Sequence, residues 1–354
     1  MFGPRKNNSF VGVDIGADFI KIACIEPRDN KPALKHSITF KNQSEIFDGF
    51  KLINPREIGT LLKGLLKEYN IQPTAVACVL PSLAVFTKRF NAPLSVSKNK
   101  LNKIMKSEAE RCIPYDINAV NYDCQICGIV NDTQLELMLV AVKQDVVNGY
   151  TEAFKHAGIE LSVMDVANFA LERAFSFNYP DIKEQRIALV NVGHRSTEMV
   201  VMHRGKAIAY FDCEVGSRMF IESLSEVFQI TFREAGTVFR GDVDNIYDKN
   251  LYQQTIDNVT KHLASALVDK LRKQQINGDF EDIKTVYFAG GGILQNNLQS
   301  EFSAKSSLAC LQMYPTKNIL NISRAGEPDA EVDKMSAALM GVAIGAALRL
   351  LDEE

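Results

Sequence analysis

Val11-Gly-Val-Asp-Ile-Gly-Ala-Asp-Phe-Ile-Lys21 and Ala188-Leu-Val-Asn-Val-Gly-His-Arg-Ser-Thr-Glu198 carry one pattern twice, with Asp14 aligned on Asn191 and Gly16 on Gly193. The separation, from position 14 to position 191, is 177 residues, half of a 354-residue chain. Each copy reads as an apolar β-rich strand, a polar residue, a tight turn with Gly where a side chain would obstruct, and a second apolar strand. A third strand follows about ten residues on in both copies. Such a turn lines backbone N–H groups along a concave edge, which suits a phosphate. Two turns facing each other across a cleft would hold a phosphate chain from both sides. Asp14 would then meet a hydrated Mg²⁺ and Lys21 the phosphate oxygens. One strand-Gly turn would be an ordinary hairpin. A third glycine-rich turn, Phe288-Ala-Gly-Gly-Gly-Ile293, again follows an apolar strand. Repeated glycine costs strand stability unless the backbone must approach something closely, so three such turns favour a ligand cleft.

Length predicts two or three domains. The hydrophobic fraction of 46% is that of a globular chain, and 40 basic against 43 acidic residues leave a net charge of −3. The basic residues are scattered along the sequence, so no nucleic-acid partner is expected. No apolar run is long enough to cross a bilayer, and the N-terminus lacks the apolar stretch of a secretory signal, so direct membrane insertion is not expected and a cytoplasmic location is. The seven cysteines read as buried reduced thiols. Cys124-Gln-Ile-Cys127 lies in an expected strand and has no second pair to complete a zinc site. The five dispersed histidines support neither a metal cluster nor a catalytic triad.

Residues 9–26 and 33–40 predict a three-strand meander, 55–67 a helix behind Pro55, and 75–80 a buried strand. The second half repeats that order, with strands at 186–192, 197–203 and 207–214, helices at 217–240 and 251–276, and a strand at 285–289. Between the halves, 97–113 predicts an amphipathic helix closed by Pro114, 120–130 and 134–142 two strands about Asn131-Asp132, and 144–157 a helix capped by Gly158. The Lys98, Lys100, Lys103 and Lys106 run reads as the solvated face of the first of these helices. A last amphipathic helix, 332–351, has Ala, Met and Gly on its inner side, suited to close packing on another helix. The expected fold class is α/β. Domain I is expected over 1–185 with an inserted subdomain at about 91–163, and domain II over 186–354 with a helical part at about 216–276.

The turns, together with Glu110-Arg-Cys-Ile-Pro-Tyr115, Asn121-Tyr-Asp-Cys-Gln125, Leu139-Val-Ala-Val-Lys143 and Ala157-Gly-Ile-Glu-Leu161, resemble the actin-like ATPase superfamily over nearly the whole chain. Within it they are most similar to the PilM family of type IV pilus assembly. The resemblance implies two ribonuclease-H-like domains around ATP and Mg, with an insert placed as in the division protein FtsA. It implies nucleotide contacts at Asp14, Gly16, Ala17, Asp18, Lys21, Asn191, Gly193, Ser196, Thr197, Glu234, Gly290, Gly291 and Gly292, with Asp14 reaching the metal through water. By the same resemblance the protein scaffolds pilus assembly and twitching motility from the inner-membrane platform. It would take the N-terminal cytoplasmic peptide of PilN in a groove between domain I and its insert, and would act beside motor ATPases. Self-association is left open.

Three departures concern chemistry. Asn191 stands where the superfamily usually has an acid, Ala17 and Phe19 stand where the family commonly has hydroxyls, and Gly236 and Phe239 follow Glu234. Losing charge and donors at both turns should cost several kcal/mol of transition-state stabilisation. A nucleotide-binding scaffold with weak or no hydrolysis is therefore expected ahead of an active ATPase. A small-molecule kinase would need a base, for which Asp165 is the sole candidate. An FtsA-like filament protein would end in a basic amphipathic anchor, against Leu350-Leu-Asp-Glu-Glu354 here.

Overall fold

The computed structural model describes residues 8–29, 31–42, 45–95, 97–182, 185–241, 248–278, 280, 282–294, 297–322 and 334–352. The elements begin with β1 (Phe10–Ile15), β2 (Phe19–Arg28), β3 (Lys31–Lys41), β4 (Phe47–Asp48), β5 (Lys51–Leu52), α1 (Pro55–Glu68) and β6 (Ala75–Leu80). They continue through β7 (Val85–Pro93), α2 (Lys98–Cys112), β8 (Val120–Asn131), β9 (Gln134–Lys143), α3 (Gln144–Ala157), β10 (Val163–Val166) and α4 (Ala167–Asn178). The second half holds β11 (Ile187–Val192), β12 (Thr197–His203), β13 (Lys206–Cys213), α5 (Arg218–Phe228), α6 (Phe232–Phe239) and α7 (Lys249–Gly278). It ends with β14 (Thr285–Ala289), α8 (Leu298–Ser306), β15 (Ala309–Gln312), β16 (Leu320–Asn321), α9 (Lys334–Leu339) and α10 (Gly341–Asp352).

The chain forms two units, one of residues 1–43, 73–79 and 163–354 and the other of 44–72 and 80–162. The first unit contains two sheets, ordered β10-β6-β1-β2-β3-β16 and β13-β12-β11-β14-β15. Their central strands repeat one topology. β1 pairs antiparallel with β2 and parallel with β6, and β11 pairs antiparallel with β12 and parallel with β14. One face of the second sheet is covered by Phe220, Leu224, Leu263, Leu267 and Phe302 of the helices, and its other face by Leu171, Ala174 and Phe175 of α4. The first sheet is covered by α10, whose Ala343, Ile344 and Ala347 pack on Ala23, Ile25 and Leu34. The packing is close enough that a Cβ on Gly12 would overlap the Ala343 carbonyl, and one on Gly345 would overlap the Ala170 carbonyl of α4.

The second unit has a three-stranded sheet, β7-β9-β8, with Ala109 of α2 and Ile113 just beyond its end packed against Val120, Leu139 and Ala141. In it α1 crosses α3 at Gly59, where a Cβ would overlap the Ala153 carbonyl. The C-x-x-C pair lies on β8, and among the described residues all seven cysteines are free.

Two expected helices differ. The helix expected over 217–240 breaks at Gln229, left-handed at φ 52, and restarts behind Thr231, whose capping box with Glu234 outweighs the apolar periodicity. The last helix divides into α9 and α10, and positions 332 and 333 lie outside the described residues. Neither β7 nor α4 was evident in the sequence. β7 carries Lys88 and Arg89 in mid-strand, and α4 is apolar around most of its circumference, leaving no stripe to read.

Candidate functional site

The two turns are built by the same hydrogen bond. Gly16 N–H donates to Phe19 O at 3.0 Å, and Gly193 N–H to Ser196 O at 2.9 Å. A Cβ would stand 2.9 Å from Phe19 O in the first and 2.7 Å from Ser196 O in the second, so glycine is required by turn closure itself. Each turn is then held by a neighbour. Asn42 donates from Nδ2 to the carbonyls of Gly16 at 2.8 Å and Ala17 at 3.1 Å, and its N–H to Asp18 O at 2.9 Å. Ser217 and Arg218, at the start of α5, donate their N–H groups to Gly193 O and His194 O at 3.0 and 2.9 Å. The carbonyls of Gly16, Ala17, Asp18, Gly193 and His194 thus accept hydrogen bonds inside the fold.

Across the first hairpin Asp14 faces Lys21, and Lys21 Nζ lies 2.5 Å from Asp14 Oδ2, each side chain 15% exposed. Across the second, Asn191 faces Glu198, 177 residues on from Lys21, and Asn191 Nδ2 donates to Glu198 Oε2 at 2.8 Å. Glu198 in turn faces Asp212 on β13, and Asn168 Nδ2 donates to Asp212 at 3.3 Å. Burial, then the nearby Asp212 and Asp14 charges, push the Glu198 carboxyl up to about 8. Burial likewise raises Asp212 to about 6. At neutral pH Glu198 is therefore mostly protonated. The acid absent at 191 stands one strand over in its neutral form.

The two turns meet. Asp14 acts on Glu198, and Asp18 acts on His194, whose ring is lowered below its ordinary range chiefly by burial. The third turn packs on the second hairpin: Gly290 is left-handed at φ 90, and a Cβ there would stand 2.7 Å from Asn191 Oδ1. A Cβ on Gly292 would overlap the Val192 side chain, whereas Gly291 faces the end of Leu339 at 2.9 Å. The Phe288–Ile293 glycines therefore serve packing against β11 as well as any approach of a ligand.

Asp14 and Lys21 pair on the first hairpin, whose turn holds Gly16, Ala17 and Asp18, while Asn191, Gly193 and Ser196 lie on the second hairpin, with Gly290 packed against Asn191. Thr197 is fully buried, and its hydroxyl donates to Val215 O at 2.8 Å. Glu234 accepts from the Thr231 N–H and hydroxyl at 2.8 and 2.7 Å, so its carboxylate caps α6. Asp165, the candidate base of the kinase reading, is 1% exposed and ion-paired to Arg173 at 2.7 Å and Arg349 at 3.1 Å. That places it in the packing of α4 against α10. Sequence reasoning missed Glu198 and Asn42. The repeat aligns Glu198 with Lys21, but its pairing with Asn191 needed the strand register.

Among the described residues no group of three or more His, Cys, Asp or Glu could hold a metal ion directly. A magnesium ion keeping most of its waters needs one or two carboxylates, and Asp14 beside the first turn fits that requirement.

Two sheets of repeated topology, each carrying a glycine turn closed by the same hydrogen bond, define an actin-like fold. Solved structures share the fold. The PilM-PilN type IV pilus biogenesis complex matches at 22% identity and TM-score 0.84 over 98% of this chain and 99% of that one. The ethanolamine utilization protein EutJ from Carboxydothermus hydrogenoformans matches at 14% and 0.57 over 98% and 91%. MreB5 of Spiroplasma citri bound to ADP matches at 11% and 0.51 over 98% and 96%. Residues 12–351 match the family of the type IV pilus assembly protein PilM, and the chain belongs to that family.

Proposed function

We propose that the protein is a nucleotide-responsive scaffold of type IV pilus assembly. It binds Mg-ATP between the two turns and docks the N-terminal cytoplasmic peptide of PilN, which holds it at the inner membrane beside the motor ATPases. The observation that carries the nucleotide part is the pair of identically bonded glycine turns, with Asp14 acting on Glu198 and Asp18 on His194. The N–H groups of both turns and Lys21 would hold the phosphates, and Asp14 and the Asn191 carbonyl oxygen would accept from the waters of the ion. The bound ion would supply charge neutralisation on the phosphate chain. For Lys21 to reach a phosphate its pair with Asp14 must open or be shared, so phosphate and ion are expected to bind together.

The partner reading rests on family membership and on the PilN-containing relative. No helix among the described residues is long and apolar enough to cross a membrane, so attachment through a partner is consistent with the fold. The second unit also offers a strand edge of the kind that accepts an extended peptide, because β8 pairs only with β9 in its sheet. Its Ile126, Ile129 and Val130 side chains are exposed.

Hydrolysis is expected to be slow, since Asn191 carries no charge and burial favours the neutral form of Glu198. Phosphate release from purified protein should fall below the usual enzyme range of about 1 to 10³ per second. Turnover within that range would contradict the scaffold reading. For docking, hydrogen exchange on the full chain with a synthetic PilN N-terminal peptide should slow within residues 44–72 and 80–162. Protection confined to the first unit would place the peptide elsewhere.

A further inference from the structure

One end of the sheet in the second unit is apolar. β7 and β9 finish there at the pair Pro93 and Gln134, and Leu94 N–H donates to Thr133 O at 2.8 Å, which ties Leu94 to the turn between β8 and β9. Asn131 holds that turn, its Oδ1 accepting from the Thr133 N–H and hydroxyl at 2.9 and 2.8 Å. A register shift between Ile129 and Asn131 leaves Val130 outside the ladder. Leu94 is 38% exposed, Val130 50% and Ile129 70%. Turn residues are ordinarily polar, and three aliphatic side chains held in water at one hairpin tip are unfavourable unless something covers them.

The same end is basic. Ala109 of α2 packs on Leu139 and Ala141, which pair with Lys88 and Phe86 toward the start of β7, so α2 runs back from the tip and its first half stands beside it. In a chain of net charge −3, residues 94–107 and 126–135 hold four lysines and one acid, Asp132. Lys100, Lys103 and Lys106 are exposed, and their spacing of three places them along one stripe of the helix. Glu110 approaches Lys106 at 3.8 Å, while Glu108 is taken by Arg111. The first turn of α2 has no acidic residue, so the helix carries positive charge at the end where its dipole disfavours it.

We propose that Leu94, Ile129 and Val130, with Lys100, Lys103 and Lys106 of α2, form a peripheral contact with the anionic lipid headgroups of a bilayer. Charge complementarity selects this occupant, because anionic headgroups attract the ammonium groups while the aliphatic side chains enter the boundary beneath them. A second protein is the poorer match, since three side chains on a hairpin tip fall far short of the roughly 1,200 Å² that a stable protein interface buries. The contact is interfacial and no segment crosses. It goes beyond the docking of PilN, because a peptide paired along β8 would use the backbone of that strand and the lipid the side chains of its tip.

The chain contains no tryptophan, so Val130→Trp installs a sole reporter at the tip. The full chain is mixed with phosphatidylcholine vesicles, and with vesicles that also contain phosphatidylglycerol, and binding is read by co-sedimentation and by emission. Wild type should partition about tenfold or more in favour of the anionic vesicles at low salt, and the preference should shrink as salt rises. On those vesicles the emission of Val130→Trp should move to the blue, whereas that of Ile276→Trp, on α7 in the first unit, should stay in place. Lys100→Gln combined with Lys103→Gln should lose about tenfold in binding, and Ile129→Ser about threefold or more. All three side chains are exposed, so melting temperatures should remain those of wild type. An unshifted tip tryptophan, the absence of an anionic preference, or a preference that the glutamine variant keeps would each overturn the proposal. Self-association abolished by Ile129→Ser, with the vesicles left unbound, would also overturn it and assign the tip to a second copy. PilN peptide is absent from these mixtures, so failure here leaves the peptide reading standing.

Discussion

Positions 14, 21, 191 and 198 show how one hairpin geometry can carry opposite chemistry. In the first copy a carboxylate accepts from an ammonium, and in the second an amide donates to a carboxyl. A carboxyl raised by burial favours the folded state when protonated. The stability Glu198 contributes is therefore complete below its unfolded value near 4.5 and is lost as pH rises toward about 8, with Asp212 acting in the same direction from 3.8 to about 6. Glu198→Gln should match wild type at pH 5 and exceed it by about 1 to 3 kcal/mol at pH 8.5 in denaturant unfolding. An equal loss in both proteins between those pH values would show that Glu198 is already ionised. Asn191→Asp would set a second acid against Glu198, and two carboxyls in contact share a proton, so the substitution should raise the apparent Glu198 value further. Asn191 was legible as a departure because its position in the repeat was fixed by Gly193. Glu198 needed the pairing register as well.

Elements were legible where a local signal decided them. β1, β2, β11 and β12 alternate around a glycine turn, and α3 runs from Gln144 to Ala157 and stops at Gly158, left-handed at φ 75. The small inner residues of the last helix predicted a close helix neighbour, and α10 has one in α4. What the sequence did not disclose was α4 itself, whose buried face and length resemble a buried strand followed by a linker. The contacts of Gly12 with Ala343 O and of Gly345 with Ala170 O are with backbone, which cannot rotate away. Gly12→Ala and Gly345→Ala should each cost about 2 kcal/mol or more, measured as a lowered denaturant midpoint at unchanged slope, whereas Gly64→Ala on α1, with open space around it, should not destabilise. Equal midpoints for all three would mean that α10 does not seat on β1 and α4 at this distance.

At the scale of the molecule, the half-chain repeat and the PilM-like phrases between 97 and 163 predicted an actin-like α/β fold, and the match of residues 12–351 to the PilM family agrees with that expectation. Both glycine turns belong to the first unit, while the elements expected for the insert, α2, β8, β9 and α3, lie in the second. Nucleotide and peptide would then act at separate places, and they can influence each other only if nucleotide changes the population of a state that prefers the peptide. The measurement that tests this most directly is the affinity of the PilN N-terminal peptide for the full chain with and without saturating Mg-ATP. A change of about fivefold or more is expected, the lower end of ordinary coupling energies. Identical affinities under both conditions, or no peptide binding in either, would contradict a nucleotide-responsive scaffold.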